Sequence, residues 1–279
     1  MTQVKIYEAN HKNRTFGTLL KEMFTDLFSS LGLAKRLFIR DKSAEYRQSF
    51  LGIFWAVITP LATAMVWVFL SASGAVKISG TGIPYPLYVF LGTMIWGIFS
   101  ESLQMPLMQT NASKALISKI NFPKEAILMS GIYKTLFNTG IKLLIMVGVL
   151  LFYGYYPDFG YLPFLGVLLL LIMFGVALGL LITPVGMLYT DIGKVIPIAL
   201  PFLMYLVPVV YRGTGQSSLQ TIIHYNPLTP LLQSCRNLLT HQSWENPAYL
   251  MIILLATIIL LFIGWIFYRV SIPIIVERM

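Results

Sequence analysis

The sequence predicts an all-α fold: a polytopic membrane protein with six transmembrane helices, an amphipathic interface helix before them, and an outer re-entrant helical hairpin between spans five and six. Three observations predict it. Hydrophobic residues make up 57% of the 279-residue chain and charged residues only 11%, whereas a soluble domain carries about a quarter charged residues. The stretches 48–76, 78–100, 159–190, 195–211 and 246–268 hold no charge, and 143–157 is a shorter clean run that extends back across Lys142 and Lys134. Lysine and arginine are also distributed unevenly. Nine lie in residues 1–47, three in 109–125, one at Lys194 and two near the C-terminus, against Lys77, Arg212 and Arg236 in the other loops.

A bilayer-spanning helix needs about 20 apolar residues. The spans therefore fall at roughly 50–72, 84–108, 126–156, 161–189, 194–212 and 247–269, the long third and fourth tilting or beginning in the headgroups. The basic bias places both termini and the 109–125 loop in the cytoplasm. The net charge of +9 thus serves orientation and anionic lipid, with no nucleic acid implied. The first long apolar run begins only near Phe50, so no cleavable signal peptide is read. The single Cys235 excludes an intrachain disulfide. His11, His224 and His241 show no metal-ligand spacing.

Residues 1–48 read as a cytoplasmic N-terminal region and 49–279 as the six-span domain. Within the first, TLLKEMFTDLFSSL (18–31) puts Leu20, Met23, Phe24, Leu27, Phe28 and Leu31 on one helical face, with Lys21, Glu22, Asp26 and Ser30 away from it. Such a helix lies in the cytoplasmic interface, or packs on a soluble partner.

Between spans two and three, LISKINFPKE (116–125) interrupts the oil with charge and proline. Asn111 or Ser113 can cap a short helix, and Pro123 turns the chain before Lys124 and Glu125 open span three. Leu116, Ile117 and Ile120 form an apolar knob, with positive charge from Lys114 and Lys119. A basic loop held at the headgroups is the plainer alternative. In span three, Lys134, Asn138 and Lys142 form an i, i+4, i+8 stripe. It could line a route for an anionic substrate; alternatively Lys134 snorkels to the headgroups and Lys142 pairs with a neighbouring span. Glu101 and Asp191, the acids nearest the spans, read as lying near the membrane edge, which gives ion coupling little support.

Residues 213–235, GTGQSSLQTIIHYNPLTPLLQSC, carry no charge yet are too polar and proline-broken to span. Two short helices parted by Asn226-Pro227-Leu228-Thr229-Pro230 fit a re-entrant or outer-leaflet hairpin, since irregular backbone at membrane depth survives where protein buries it or water reaches it.

Catalytic patterns are missing: there is no HExxH, GxSxG or clustered acidic pair. Gly193-Lys194 is the only Gly-Lys pair, Leu188 stands where a P-loop needs its first glycine, and Val195 replaces the Ser or Thr. Uphill transport would have to draw on an ion gradient or on another protein.

Several short motifs occur in order along the spans. Tyr46-Arg47-Gln48-Ser49-Phe50-Leu51-Gly52-Ile53-Phe54-Trp55 with Pro60 enters the first; Asn111 with residues 116–125 follows the second. Tyr189-Thr190-Asp191-Ile192, Pro208-Val209-Val210-Tyr211, residues 226–230 and Glu277-Arg278-Met279 come after them. After residue 33 the chain resembles type-2 ABC transporter permeases that export polysaccharides, O-antigen permeases above all; residues 1–32 are a longer leader than many of these have. The resemblance implies a homodimer in the cell inner membrane with two copies of a separate cytoplasmic ATP-binding subunit. ATP and Mg would be bound there, so this chain carries no cofactor and is not itself an enzyme. Lys114, Leu116, Ile117, Lys119, Ile120, Phe122, Pro123, Lys124 and Glu125 would form the loop helix that docks on that subunit. A lipid-linked glycan would be the substrate; a teichoic-acid or small lipophile exporter is the runner-up. A membrane-embedded glycosyl- or acyltransferase would need acids or histidines clustered on a loop, and the outer loops offer only Asp158, Glu245, His224 and His241. For a glycan, Tyr85, Tyr88, Trp96 and Phe99, which share a face of span two around Gly92, would give rings on which sugar C–H faces stack. Interface anchoring or helix packing explains the same stripe. Lys134 and Lys142 join them as pathway residues, and Asn226, Pro227 and Pro230 mark the outer hairpin.

Overall fold

Unbroken apolar runs dictate helices, because no water is available in hydrocarbon to satisfy an open backbone. The computed structural model describes residues 16–47, 54–74, 81–120, 122–158, 161–211, 223–244 and 246–277. Its principal helices are α1 (Phe16–Arg47), α2 (Trp55–Ala72), α3 (Tyr85–Ala112), α4 (Lys114–Lys119), α5 (Glu125–Phe152), α6 (Tyr161–Leu188), α7 (Thr190–Leu203), α8 (Leu228–Leu239) and α9 (Pro247–Glu277). No strand occurs among the described residues.

Four of these, α3, α5, α6 and α9, are long and apolar enough to cross a membrane. In α3 and α6, 78% and 61% of the apolar window is buried within the chain, against 22% in α5 and in α9, so the first two are the centre and the others the rim. α3 packs on α6, and α6 on α9. Gly175 and Gly179, one turn apart on α6, let the two central backbones close. A Cβ at Gly175 would press on Ser102 and the Phe99 carbonyl, and one at Gly179 on the Leu103 carbonyl and the Pro106 ring. Small residues at this spacing are what packing between membrane helices requires.

The expected fifth span is shorter in the structure, and the first is described only from Phe54 onward. α2 begins at Trp55, and residues 50–53 lie outside the described residues. The fifth span, expected over 194–212, is helical as α7 only to Leu203 and then tightens into a 3-10 turn, Met204–Leu206. Fourteen residues reach roughly 21 Å, short of a hydrocarbon core of about 30 Å. Pro197 and Pro201 lie inside α7 and Pro208 follows it, and each proline lacks the N–H that continues a helix. Of the expected hairpin, residues 213–222 lie outside the described residues, while its second half is α8.

α1 departs furthest from expectation. It runs well past residue 31, and its inward face is Met23, Asp26, Ser30, Ala34 and Leu37, whereas Phe24 and Phe28 are exposed. Asp26 and Ser30, expected to point away from the apolar face, are turned into the protein because Arg269 of α9 draws Asp26 inward. The helix lies along α5, with Phe38 set against the Tyr133 and Phe137 rings at centroid distances of 6.3 and 6.0 Å.

Candidate functional site

A cavity of 610 Å³ opens between α1, α2, α3, α5 and α7. Its apolar wall includes Trp55 and Trp96, with Leu200 from α7 and Met204 from the 3-10 turn that follows it. Its polar wall includes Lys42, Glu45, Asn138, Glu101 and Lys142, a connected line that Lys134 joins from outside the lining. Lys134 Nζ lies 3.0 Å from Glu45 Oε2, and Lys42 Nζ 3.5 Å from the same oxygen. Lys42 Nζ also donates to Asn138 Oδ1 at 2.8 Å, and Asn138 Nδ2 donates to Glu101 Oε1 at 2.5 Å. Lys142 Nζ closes the line on Glu101 Oε2 at 2.8 Å. Ser100 Oγ, buried and without a hydrogen-bond partner, also faces this space.

The i, i+4, i+8 stripe thus comes together as one network with acids from α1 and α3. Lys142 pairs with a neighbouring helix, and the pair still lines the cavity. Glu101 is not near the end of its helix: α3 continues to Ala112, roughly 17 Å further along the axis. Partial burial alone would raise the Glu45 carboxyl's pKa. The hydrogen bond and charge of Lys134, with the charge of Lys42, outweigh it and hold the carboxyl below the ordinary carboxylate value.

The aromatic stripe divides. Of its four rings only Trp96 lines the cavity. Phe99 stacks on Phe174 of α6, centroids 6.4 Å apart. Tyr85 and Tyr88 serve the irregular chain after α7: the Tyr85 hydroxyl donates to the Val210 carbonyl at 3.1 Å and the Tyr88 hydroxyl to that of Tyr211 at 2.9 Å. Arg236, 3% exposed on α8, donates to the Pro208 and Val209 carbonyls and lies over the Tyr88 ring. Asn226 adds a bond from Nδ2 to the Leu206 carbonyl at 3.2 Å, while its Oδ1 accepts from the Leu228 N–H and starts α8. Pro227 precedes that helix and Pro230 is buried in its first turn. Carbonyls freed where α7 breaks are thereby satisfied inside the protein, as backbone at membrane depth must be.

The loop between α3 and α5 holds the short α4 as expected. Ser113 occupies its N-cap position without a side-chain cap bond, and Asn111 belongs to the last turn of α3. The apolar knob is split. Ile117 and Phe122 pack with Leu37 of α1 and with Ala126 and Ile127, and Leu116 rests on their edge. Ile120 is 54% exposed, and Lys119 and Ser118 share its outward side. Lys114 is half-buried. Pro123 and Lys124 make the turn; the Lys124 ammonium sits 5.1 Å from the Phe122 ring centre, and burial lowers its pKa. Glu125 is turned fully inward onto Arg269.

Two cations escaped the sequence reading. Arg236 counts there as an outer-loop charge and Arg269 as a basic residue of the C-terminus, yet Arg236 is buried and the Arg269 side chain is only 15% exposed. The available signal was an arginine set within an apolar helical stretch, LLQSCRNLL in one case and WIFYRVSI in the other, where a charge has to find partners.

The profile of the ABC-2 type transporter family matches residues 33–240, a stretch that encloses every residue lining the cavity. The chain belongs to the ABC-2 type transporter family. Within this family it is similar to the O-antigen export system permease protein RfbA of Myxococcus xanthus, 24% identical over 240 residues, covering 85% of this chain and 91% of that one. RfbA of Klebsiella pneumoniae is 24% identical over 230 residues, 81% of this chain and 86% of the relative. The polysialic acid transport protein KpsM of Escherichia coli is 23% identical over 236 residues, 84% and 91% respectively. As an ABC-2 family chain, the molecule presents its charged cavity and its α4 loop inside the matched stretch, whereas Asp26 and Arg269 lie outside it.

Proposed function

We propose that this ABC-2 transporter chain is the permease subunit of an exporter that carries a lipid-linked polysaccharide out of the cytoplasm across the inner membrane. The observation that carries this reading is the cavity: 610 Å³ lined by two tryptophans, carboxylates, amides and ammonium groups within an otherwise apolar bundle. That is the mixture a sugar headgroup on a lipid needs: flat apolar faces beside hydrogen-bonding and charged groups. Relatives named for O-antigen export and polysialic acid transport favour a polysaccharide over a teichoic acid or small lipophile.

In this reading α2 and α7 complete six crossings with both termini cytoplasmic, α7 facing protein or water at its proline breaks. Two copies form the pathway, and two ATP-binding subunits, which hold the ATP and Mg, dock on the outward side of α4. Energy enters there, and the cavity network binds or orients the headgroup. The test is a strain lacking this chain, complemented with wild type or with the Glu101→Gln, Lys142→Gln double variant. Wild type should restore surface glycan. The double variant should be made at normal level yet leave lipid-linked glycan on the cytoplasmic side. Surface glycan undiminished in the deletion strain would end the reading.

A further inference from the structure

One guanidinium joins three parts of the chain that lie far apart in sequence. Near the C-terminal end of α9, Arg269 Nη1 donates to Glu125 Oε1, and Nη2 donates to Asp26 Oδ2 at 2.7 Å, with Glu22 Oε2 3.8 Å away. Asp26 and Glu125 are 3% and 2% exposed, so this is an internal joint rather than a surface pair. A planar fork engages two carboxylates in fixed directions, which a lysine ammonium does not.

The preceding residue repeats the pattern. Tyr268, fully buried, has its hydroxyl 3.1 Å from Thr110 Oγ1 in the last turn of α3. Successive residues of α9 therefore hold both ends of the α4 loop: Tyr268 the end before it, at Thr110, and Arg269 the end after it, at Glu125. The underside of the same loop rests on α1, through Leu37 against Ile117 and Phe122. Three separate ties, polar at both ends and apolar beneath, join the loop to α1 and α9.

We propose that Arg269 and Tyr268 are positioning residues that weld α1, the α4 loop and the C-terminal part of α9 into one lever, so that a displacement of α4 is delivered to the N-terminal helix. This rests on α4 being where the ATP-binding subunit docks. Arg269 and Asp26 fall outside residues 33–240, the stretch matched to the ABC-2 family.

The experiment uses the complex with its co-expressed ATP-binding subunit in lipid nanodiscs, in a Cys235→Ser background. Spin labels go on two exposed positions away from the docking side, Ala112→Cys just before α4 and Phe28→Cys of α1. With no other substitution the 112–28 separation should be the same with and without Mg-ATP and vanadate, because the lever moves as one piece. In Arg269→Lys and Asp26→Asn the nucleotide should shift or broaden that separation, and ATP-driven export should fall by about tenfold, within the range typical of coupling between sites. Asp26→Asn decides the matter if Arg269→Lys does not assemble, since it leaves the Arg269–Glu125 contact in place. Variants that behave as wild type, a wild-type separation that itself changes, or assembly lost in both variants would each overturn the lever. Ile120→Glu separates the two readings. If it leaves recovery of the ATP-binding subunit undiminished, docking on α4 is wrong; if recovery falls while the Arg269 variants stay rigid, only the lever is wrong.

Discussion

Arg236 lies over the Tyr88 ring, its guanidinium carbon 3.6 Å from the ring centre, and together they hold the carbonyls of Pro208, Val209 and Tyr211. A cation buried at this depth survives because a π face and carbonyl oxygens replace water around it. With Tyr85 and Asn226, the pair satisfies the carbonyls left open where the helix ends after Leu203.

Arg236→Lys keeps the charge and loses both the flat stacking and the fork. It should lower stability by about 2–4 kcal/mol, from a desolvated cation–π contact and unsatisfied carbonyls. Tyr88→Phe, which gives up only the hydroxyl bond, should cost about 1 kcal/mol. Gly92→Ala should be as damaging as the lysine, because its Cβ would meet the Val209 carbonyl and the Arg236 guanidinium. Thermal unfolding in detergent ranks the three. An unaltered melting temperature in Arg236→Lys would show that the segment is held by other means.

Trp96 and Phe99 are adjacent on one helical face, yet they should respond differently to truncation. Phe99 is 2% exposed and stacked on Phe174, so Phe99→Ala should cost about 3–5 kcal/mol of stability, as large-to-small core changes do. Trp96 lines the cavity, so Trp96→Ala should leave more of the fold intact while glycan export drops by about tenfold, equivalent to 1.4 kcal/mol in the barrier. Export per unit of folded protein, measured alongside melting, separates packing from pathway. Equal export per folded molecule in both variants would make the stripe packing throughout.

What the sequence disclosed, and what it hid, follows from the range of each interaction. The spans at 126–156, 161–189 and 247–269 emerge as α5, α6 and α9 because a long apolar run alone sets a membrane helix, whether central or at the rim. The end of α7 was written locally as well, in Pro197, Pro201 and Pro208, but the long charge-free run masked it. The inward turn of Asp26 had no local sign: its partner Arg269 is 243 residues away, and an amphipathic pattern counts only apolar faces. Arg236 was hidden for the same reason, since its carbonyl partners lie 27 and 28 residues upstream. In the cavity, the Lys134, Asn138, Lys142 stripe was legible as a helical spacing, but its acids come from two other helices.

That network gives a charge prediction. The Glu101 and Lys142 side chains are 26% and 12% exposed, so Glu101→Gln leaves an ammonium poorly compensated. The single variant should lose about 3 kcal/mol, the low end for breaking a buried pair. The double variant Glu101→Gln, Lys142→Met should regain most of that stability, because it removes both charges together. A double-mutant cycle on thermal unfolding measures the coupling. Additive losses would mean that cavity water already solvates each charge.

Glu45 supplies a pH dependence. Its carboxyl is held below the ordinary value by Lys134 and Lys42 against the effect of burial. A depressed pKa stabilises the fold at pH above the unfolded value, and the gain disappears as pH falls through the folded one. Wild type should therefore outlast Glu45→Gln at pH 7 by a small margin, since the side chain is 46% exposed. The two should converge below about pH 4. Added salt should shrink the margin at pH 7. A margin that persists in acid would assign it to packing rather than charge.

The exposed and buried halves of the α4 loop give the last prediction. Ile120 and Lys119 face outward, while Ile117 and Phe122 fill a small core with Leu37 of α1. Ile120→Glu removes apolar area from a docking surface and places a like charge opposite any acidic rim, so it should detach the ATP-binding subunit while the permease itself stays as stable as wild type. Ile117→Ala acts from the other side. It should cost the permease about 2–5 kcal/mol through the cavity it leaves, and weaken docking only as far as the loop loosens. Lys119→Gln should mainly slow association, because rim charges tune encounter more than grip. Co-purification with the ATP-binding subunit, read against the melting temperature of each permease, distinguishes the three. If Ile120→Glu retains the subunit at wild-type yield, the outward face of α4 is a basic loop at the headgroups, and docking must be sought elsewhere on the cytoplasmic side.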